Sequence, residues 1–235
     1  MNWKKILILI LSGLLILSLI GCSKNEKPET TQKPPEQPQT PKKGPFNTPQ
    51  YTKADLATFT YPIRDLDNPL VTLETSYGPM ILELYRDVAP IHVDSFIART
   101  NEGFYDSLQF FRVIDNFMIQ TGDPNNEGSG GAGYTLPAEF SNLPHIEGTL
   151  SMARGRTPNS AGTQFFIVLA RSPSAEYLDG KYTVFGQLIK GYDVLHKIGS
   201  AEVGPQPIGG EVSRPKEKVY LIKAYLSDLQ GNPVK

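Results

Sequence analysis

Phe110-Phe-Arg-Val-Ile-Asp-Asn-Phe-Met-Ile-Gln-Thr-Gly-Asp123 is the most informative stretch of this 235-residue chain. Two short apolar runs flank Asp115-Asn116, a pair that favours a tight turn, so the stretch predicts a β-hairpin. Period-two alternation places Arg112 on the same side as Phe110 and Ile114, and puts Met118 and Gln120 together on one face of the return strand. A permanently charged guanidinium thus stands among apolar side chains. Taken alone, such an arginine is more often ion-paired on a strand than chemically active, and aromatic residues around it are more often core.

Similar runs recur on both sides of the hairpin. Val71-Thr-Leu-Glu-Thr75, Ile81-Leu-Glu-Leu-Tyr85, Phe110-Phe-Arg-Val-Ile114, Phe117-Met-Ile-Gln120, Gly148-Thr-Leu-Ser-Met-Ala153, Phe165-Phe-Ile-Val-Leu169, Thr183-Val-Phe-Gly-Gln-Leu188 and Val219-Tyr-Leu-Ile-Lys-Ala224 all read as strands. Eight strands are enough to close a barrel that side chains fill. Two stretches predict helices instead. Pro90 suits a first helical position, Val93, Phe96 and Ile97 form one apolar face, and Gly103 stops the run. Tyr192, Leu195 and Ile198 recur at three-residue steps before Gly199. The expected fold is mainly β: a closed eight-stranded antiparallel barrel capped by two α-helices.

Composition narrows the function. With 21 Gly and 20 Pro the chain falls below a low-complexity polymer, and its net charge is −1. Seven Lys and three acids lie in residues 1–50, so the remainder carries 16 basic and 21 acidic residues, a net of −5. Such a domain suits no polyanion, and nucleic acid is not an expected partner. One cysteine and three histidines (His92, His145, His196) leave little from which to build a metal site, so neither metal nor cofactor is expected. The histidines read as surface or packing residues. The sequence contains no Gly-x-Ser-x-Gly elbow, no His-Glu-x-x-His and no phosphate loop, since Gly128-Ser-Gly-Gly-Ala-Gly133 lacks the Lys-Ser/Thr that engages phosphate. That glycine run reads by itself as a flexible surface loop.

The N-terminus has the order of an export signal: Lys4 and Lys5, fifteen mostly apolar residues from Ile6 to Ile20, then Gly21-Cys22. The span is short for a membrane helix. Leu19-Ile20-Gly21-Cys22 resembles the bacterial lipobox, which implies a signal peptide over residues 1–21 and acylation of Cys22, placing the rest of the chain outside the cytoplasmic membrane and anchored to the bilayer by lipid. Residues 22–50 are rich in Pro, Lys, Glu, Gln and Thr and predict a disordered tether. Residues 51–68 read as either the end of that tether or a strap, and 69–235 as the folded domain.

Taken together, Phe110–Asp123, Gly148–Ala153, Asn159-Ser-Ala-Gly-Thr-Gln-Phe-Phe-Ile167 and Leu178-Asp-Gly-Lys-Tyr-Thr-Val-Phe-Gly186 resemble the cyclophilin family of peptidyl-prolyl isomerases in order and spacing, from about Leu70 to Leu226. The resemblance implies a groove on the barrel's outer surface that takes proline-containing polypeptides. It matches Arg112 to the catalytic arginine, and Phe117, Met118, Phe166 and Leu178 to the walls of the proline pocket. Gln120 and Gln164 match the polar groups beside it, and Ala153, Arg154 and Gly155 the edge along which the substrate backbone lies. Residues 128–133 fall where the family borders a second, shallower pocket. Tyr177 and Tyr182 replace a tryptophan and a histidine common in eukaryotic members, which leaves cyclosporin binding open. Arg154 stands where asparagine is usual, and would bias the groove toward acidic peptides. The implied activity is X-Pro isomerisation in exported proteins. The rival class is a peptide-binding chaperone module with little turnover, and the intact Arg112, Phe117, Gln120 and Phe166 favour the enzyme. No heptad or long apolar face asks for a partner, so a monomer is expected.

Overall fold

A computed structural model describes residues 67–234. The signal segment, Cys22, the tether and residues 51–66 of the strap lie outside the described residues. The described residues contain eleven strands: β1 (Leu70–Thr75), β2 (Gly78–Leu84), β3 (Leu108–Gln109), β4 (Arg112–Ile114), β5 (Met118–Thr121), β6 (Thr149–Met152), β7 (Phe165–Val168), β8 (Val184–Lys190), β9 (Val203–Pro205), β10 (Val212–Pro215) and β11 (Tyr220–Leu226). Nine of them form one antiparallel sheet in the order β3-β11-β1-β2-β8-β6-β7-β5-β4, while β9 and β10 form a separate hairpin.

Three strands are additional to the expected eight: β9 and β10, and β3, which an interruption separates from β4. Phe110 and Phe111 separate β3, which pairs with β11, from β4, which pairs with β5. The two ends of the sheet are therefore consecutive in the chain, and the curl closes through the Phe110-Phe111 backbone rather than through a further ladder. Phe110 keeps one sheet-like bond, its N–H donating to the Val219 carbonyl at 2.9 Å.

The interruption also corrects the side of Arg112. Phe110 packs in the barrel interior with Val113, whereas Ile114 packs outward against the cluster containing Met118 and Phe166. Leaving the ladder for two residues shifts the alternation, so Arg112 shares a face with Ile114 and not with Phe110.

Among the described residues there are three α-helices where two were expected: α1 (Pro90–Asn101), α2 (Pro173–Leu178) and α3 (Tyr192–Gly199). The additional α2 is a short turn begun by Ser172, whose Oγ accepts from the Ala175 N–H, with Pro173 at the first position. Helix α1 begins at Ala89, which carries no capping side chain. Glu139 instead accepts from the N–H groups of Ile91 (3.1 Å) and His92 (2.9 Å), so a distant loop caps the helix. Val93 and Phe96 of α1 and Leu195 and Ile198 of α3 join β-strand residues in one core. Phe96 contacts Phe165 edge-on at 5.2 Å and Tyr105 at 4.9 Å between ring centroids.

Candidate active site

The register of four strands builds the site. Arg112 on β4 lies opposite Gln120 on β5, Gln120 opposite Phe166 on β7, and Phe166 opposite Ser151 on β6. Directly opposed residues share a face. One level of the sheet thus presents Arg112, Gln120, Phe166 and Ser151 in a row on the side away from the barrel interior.

Beside this row Met118, Phe166, Val168, Ala175 and Leu178 form a buried apolar cluster, with Ile114, Phe117, Ala153 and Tyr182 packed at its margin. Phe117, Met118, Phe166 and Leu178 are therefore brought together. Tyr182 meets Phe166 edge-on at 6.2 Å. Tyr177 stands apart: it is 66% exposed, and the Lys181 ammonium lies 3.7 Å from its ring centre. Helix α2 aims Leu178 at the cluster and leaves Tyr177, one residue earlier, toward solvent.

Arg112 is held on three sides. Its Nε donates to Glu211 Oε2 at 2.6 Å and Nη2 to Glu211 Oε1 at 2.9 Å, a bidentate pair, while Nη1 donates to Gln120 Oε1 at 3.1 Å and lies 4.0 Å from Met118 Sδ. Glu211 was not legible as a partner, being 99 residues away on the unpredicted β9–β10 turn. Hydrogen bonding from Arg112 holds the Glu211 carboxyl below the usual range, against the opposing effect of its partial burial, and Ser213 adds a further donor.

From Gln120 the polar chain continues. Its Nε2 donates to Gln164 Oε1 at 3.0 Å, and Gln164 Nε2 donates to the Gly130 carbonyl at 2.9 Å. The glycine run is not the flexible loop its composition predicts. Buried Asp123 accepts from the N–H groups of Asn125, Glu127 and Gly128 and knots the segment. A Cβ on Gly130 would stand 2.0 Å from Asp123 Oδ1, so only glycine fits this approach. The knotted loop lines a concavity of about 870 Å³ with Gln120, Gln164, Thr163, Ala153, Arg154 and Gly155. Arg154 does not reach freely into it. Its Nε donates to the Lys181 carbonyl and Nη1 to the Gly155 carbonyl, both at 3.0 Å, and the guanidinium lies 4.4 Å from the Tyr182 ring centre.

Behind Phe166 lies a buried network centred on His145, which the sequence alone marks as a surface or packing residue. His145 is stacked on Phe166 at 6.1 Å, with Nδ1 2.9 Å from Asp179 Oδ1 and Nε2 3.0 Å from Ser151 Oγ. Arg171 Nη2 pairs with Asp179 Oδ2 at 2.7 Å. Burial raises the Asp179 pKa, but hydrogen bonds from His145 and Arg171 outweigh it and hold the carboxyl at about 2. His92, also buried, lies 2.6 Å from Glu139, and His196 pairs with Glu147 at 2.7 Å. The lowered Asp179 value makes a pH prediction. The unfolded chain, with Asp near 3.8, binds this proton more readily than the folded one. Stability from Asp179 is therefore complete above that value and is lost as pH falls toward about 2. In denaturant titrations across this range, Asp179→Asn should flatten the acid-side slope by up to one proton; an unchanged slope would refute the assignment.

The outer face of this curled antiparallel sheet thus carries an arginine and two glutamines beside a buried apolar cluster. Residues 70–225, about two thirds of the chain, match the family model described as cyclophilin type peptidyl-prolyl cis-trans isomerase/CLD. The chain belongs to this family and is a peptidyl-prolyl cis-trans isomerase. It is 40% identical over 166 residues to a Brucella suis protein named "Probable peptidyl-prolyl cis-trans isomerase", covering 66% of this chain and 80% of that one. It is 38% identical over 164 residues to peptidyl-prolyl cis-trans isomerase-like 1 of Homo sapiens, covering 68% and 93%. Among solved structures, the cyclophilin type isomerase of Cryptosporidium parvum crystallised in the presence of the dipeptide Ala-Pro is similar, with a TM-score of 0.61, 29% identity, and coverage of 68% of this chain and 99% of that one.

Proposed function

We propose that this isomerase acts on proline-containing segments of exported proteins outside the cytoplasmic membrane of a bacterium, held to the bilayer by lipid on Cys22, with Arg112 as its catalytic cation. The observation that carries the chemical part is the position of Arg112 Nη1, hydrogen-bonded to Gln120 and 4.0 Å from Met118 Sδ at the margin of the apolar cluster. A peptide bond before proline rotates over a barrier of roughly 18–20 kcal/mol because twisting breaks amide resonance. No covalent bond changes, so no nucleophile is required. In the twisted state the proline nitrogen recovers a lone pair and the preceding carbonyl turns. A fixed guanidinium donor beside the recess stabilises that state more than either planar one. Met118, Phe166, Phe117 and Leu178 grip the ring while the residue before it rotates, and the apolar surroundings favour the less polar twisted amide. The Ala-Pro dipeptide named with the Cryptosporidium parvum structure supports the substrate class.

The location rests on the residues Lys4-Lys5, Ile6–Ile20 and Gly21-Cys22. Exchange spectroscopy of a cis/trans proline peptide with catalytic amounts of the protein tests turnover, and absence of line exchange would favour the chaperone reading. For the anchor, Cys22→Ser in the full chain should move the protein from the membrane fraction to the soluble one. A variant that still sediments with membranes would refute lipid anchoring.

A further inference from the structure

We propose that Glu211, on the turn between β9 and β10, is a positioning residue for Arg112, fixing the plane of its guanidinium so that Nη1 faces the recess. The inference rests on the reading of Arg112 as the catalytic cation.

An arginine on a strand has four rotatable side-chain bonds and about 2 kcal/mol of rotamer entropy to lose before it can act as an aimed donor. Its side chain here is 29% exposed, and packing alone does not fix it. Glu211 engages the edge formed by Nε and Nη2, whereas the donor nearest the apolar cluster is Nη1. A carboxylate that blocked the site would occupy the recess-facing edge. Of the five guanidinium N–H groups, Glu211 takes two and Gln120 one, which leaves one on Nη1 and one on Nη2 for a substrate.

Glu211 is itself anchored. Ser213 Oγ donates to its Oε2 at 2.7 Å, and Gln206 N–H donates to its carbonyl at 2.7 Å. Gln206 Nε2 reaches the Phe111 carbonyl at 2.7 Å and Ser213 Oγ at 3.0 Å, tying the turn to the residue preceding Arg112. From the other edge of the turn, Arg214 Nη1 donates to the Asn126 carbonyl at 2.8 Å. The hairpin is thus strapped to the residue before Arg112 and to the loop after β5, and its acid arrives with its geometry set. A bidentate acid on a strapped support restricts the arginine as a template would, and loss of such alignment costs rate more than affinity.

The test is turnover of a proline peptide by Glu211→Ala, Glu211→Gln and Arg112→Ala, each in the full chain. Glu211→Ala is expected to lower kcat about 10-fold with KM changed less than about twofold. Glu211→Gln, which keeps one acceptor for the guanidinium, should recover part of the loss. Nitrogen-15 spectra of the Arg112 Nε–H should show slow solvent exchange in the wild type and fast exchange in Glu211→Ala. A kcat within about twofold of wild type for Glu211→Ala, a raised kcat, or unaltered Nε–H exchange would each overturn the proposal. If instead Arg112→Ala retains full turnover, it is the role of Arg112 that fails, and the two results are read separately.

Discussion

Arg112→Ala is expected to lower kcat/KM for a proline peptide by about 100-fold, the loss typical of removing one donor aimed at a transition state. The fold should survive the change. Arg112 lies on the outer face, and its partly exposed ion pair with Glu211 belongs to a class worth about 0–1 kcal/mol. The unfolding midpoint should therefore move by only a few degrees. Arg112→Lys separates charge from shape. A lysine keeps the cation but cannot satisfy Glu211 and Gln120 together in one plane, so most of the loss should persist. Full turnover in the alanine variant at unaltered stability would remove the electrostatic account and leave the apolar recess as the sole source of acceleration.

Phe166→Ala carries the second largest effect, and on two quantities at once. The ring is nearly fully buried, meets Tyr182 edge-on and stacks on His145. Truncation should cost about 3–5 kcal/mol of stability through the cavity it leaves. It should also raise KM about 10-fold or more, because the surface proposed to receive the pyrrolidine ring is gone and burial of that ring is worth at least about 1.5 kcal/mol. Phe166→Leu, which restores volume without the flat face, should recover most of the stability and part of the affinity. Equilibrium unfolding and steady-state kinetics on the two variants check both. A Phe166→Ala protein with wild-type KM would mean that the recess does not hold the substrate.

The barrel strands were legible because each is a short apolar run closed by Gly, Asn, Asp or Pro, and each binds its neighbours through a pattern with period two. What escaped the reading was long-range or irregular. The break at Phe110-Phe111 has the same composition as a strand, and only pairing with two different partners reveals it. Helix α2 is a six-residue turn announced by Ser172-Pro173 alone. The β9–β10 hairpin lies among Gly and Pro residues that read as loop, and so Glu211 went unnoticed beside the one arginine whose partner mattered.

The site itself was less legible from pattern than from resemblance. Alternation could place Gln120 with Met118, but it could not say that this pair adjoins Phe166; that depends on β5 lying beside β7. From the sequence His145 reads as a surface or packing residue, and in a sense it packs. Its packing, however, is against the Phe166 ring of the outer apolar cluster, with Asp179 and Ser151 fixing both of its nitrogens. The carboxylate and hydroxyl that do this are 34 and 6 residues away in the chain, separations at which no local motif forms.

Arg112, Gln120, Phe166 and Ser151 stand abreast only because four separate strands meet at one level. No single strand carries the whole proposed site, and a partly assembled molecule has only part of it. During refolding, catalysis should consequently lag behind the recovery of backbone order and appear only with the last pairing. The protein's own turnover should then report that its assembly is finished.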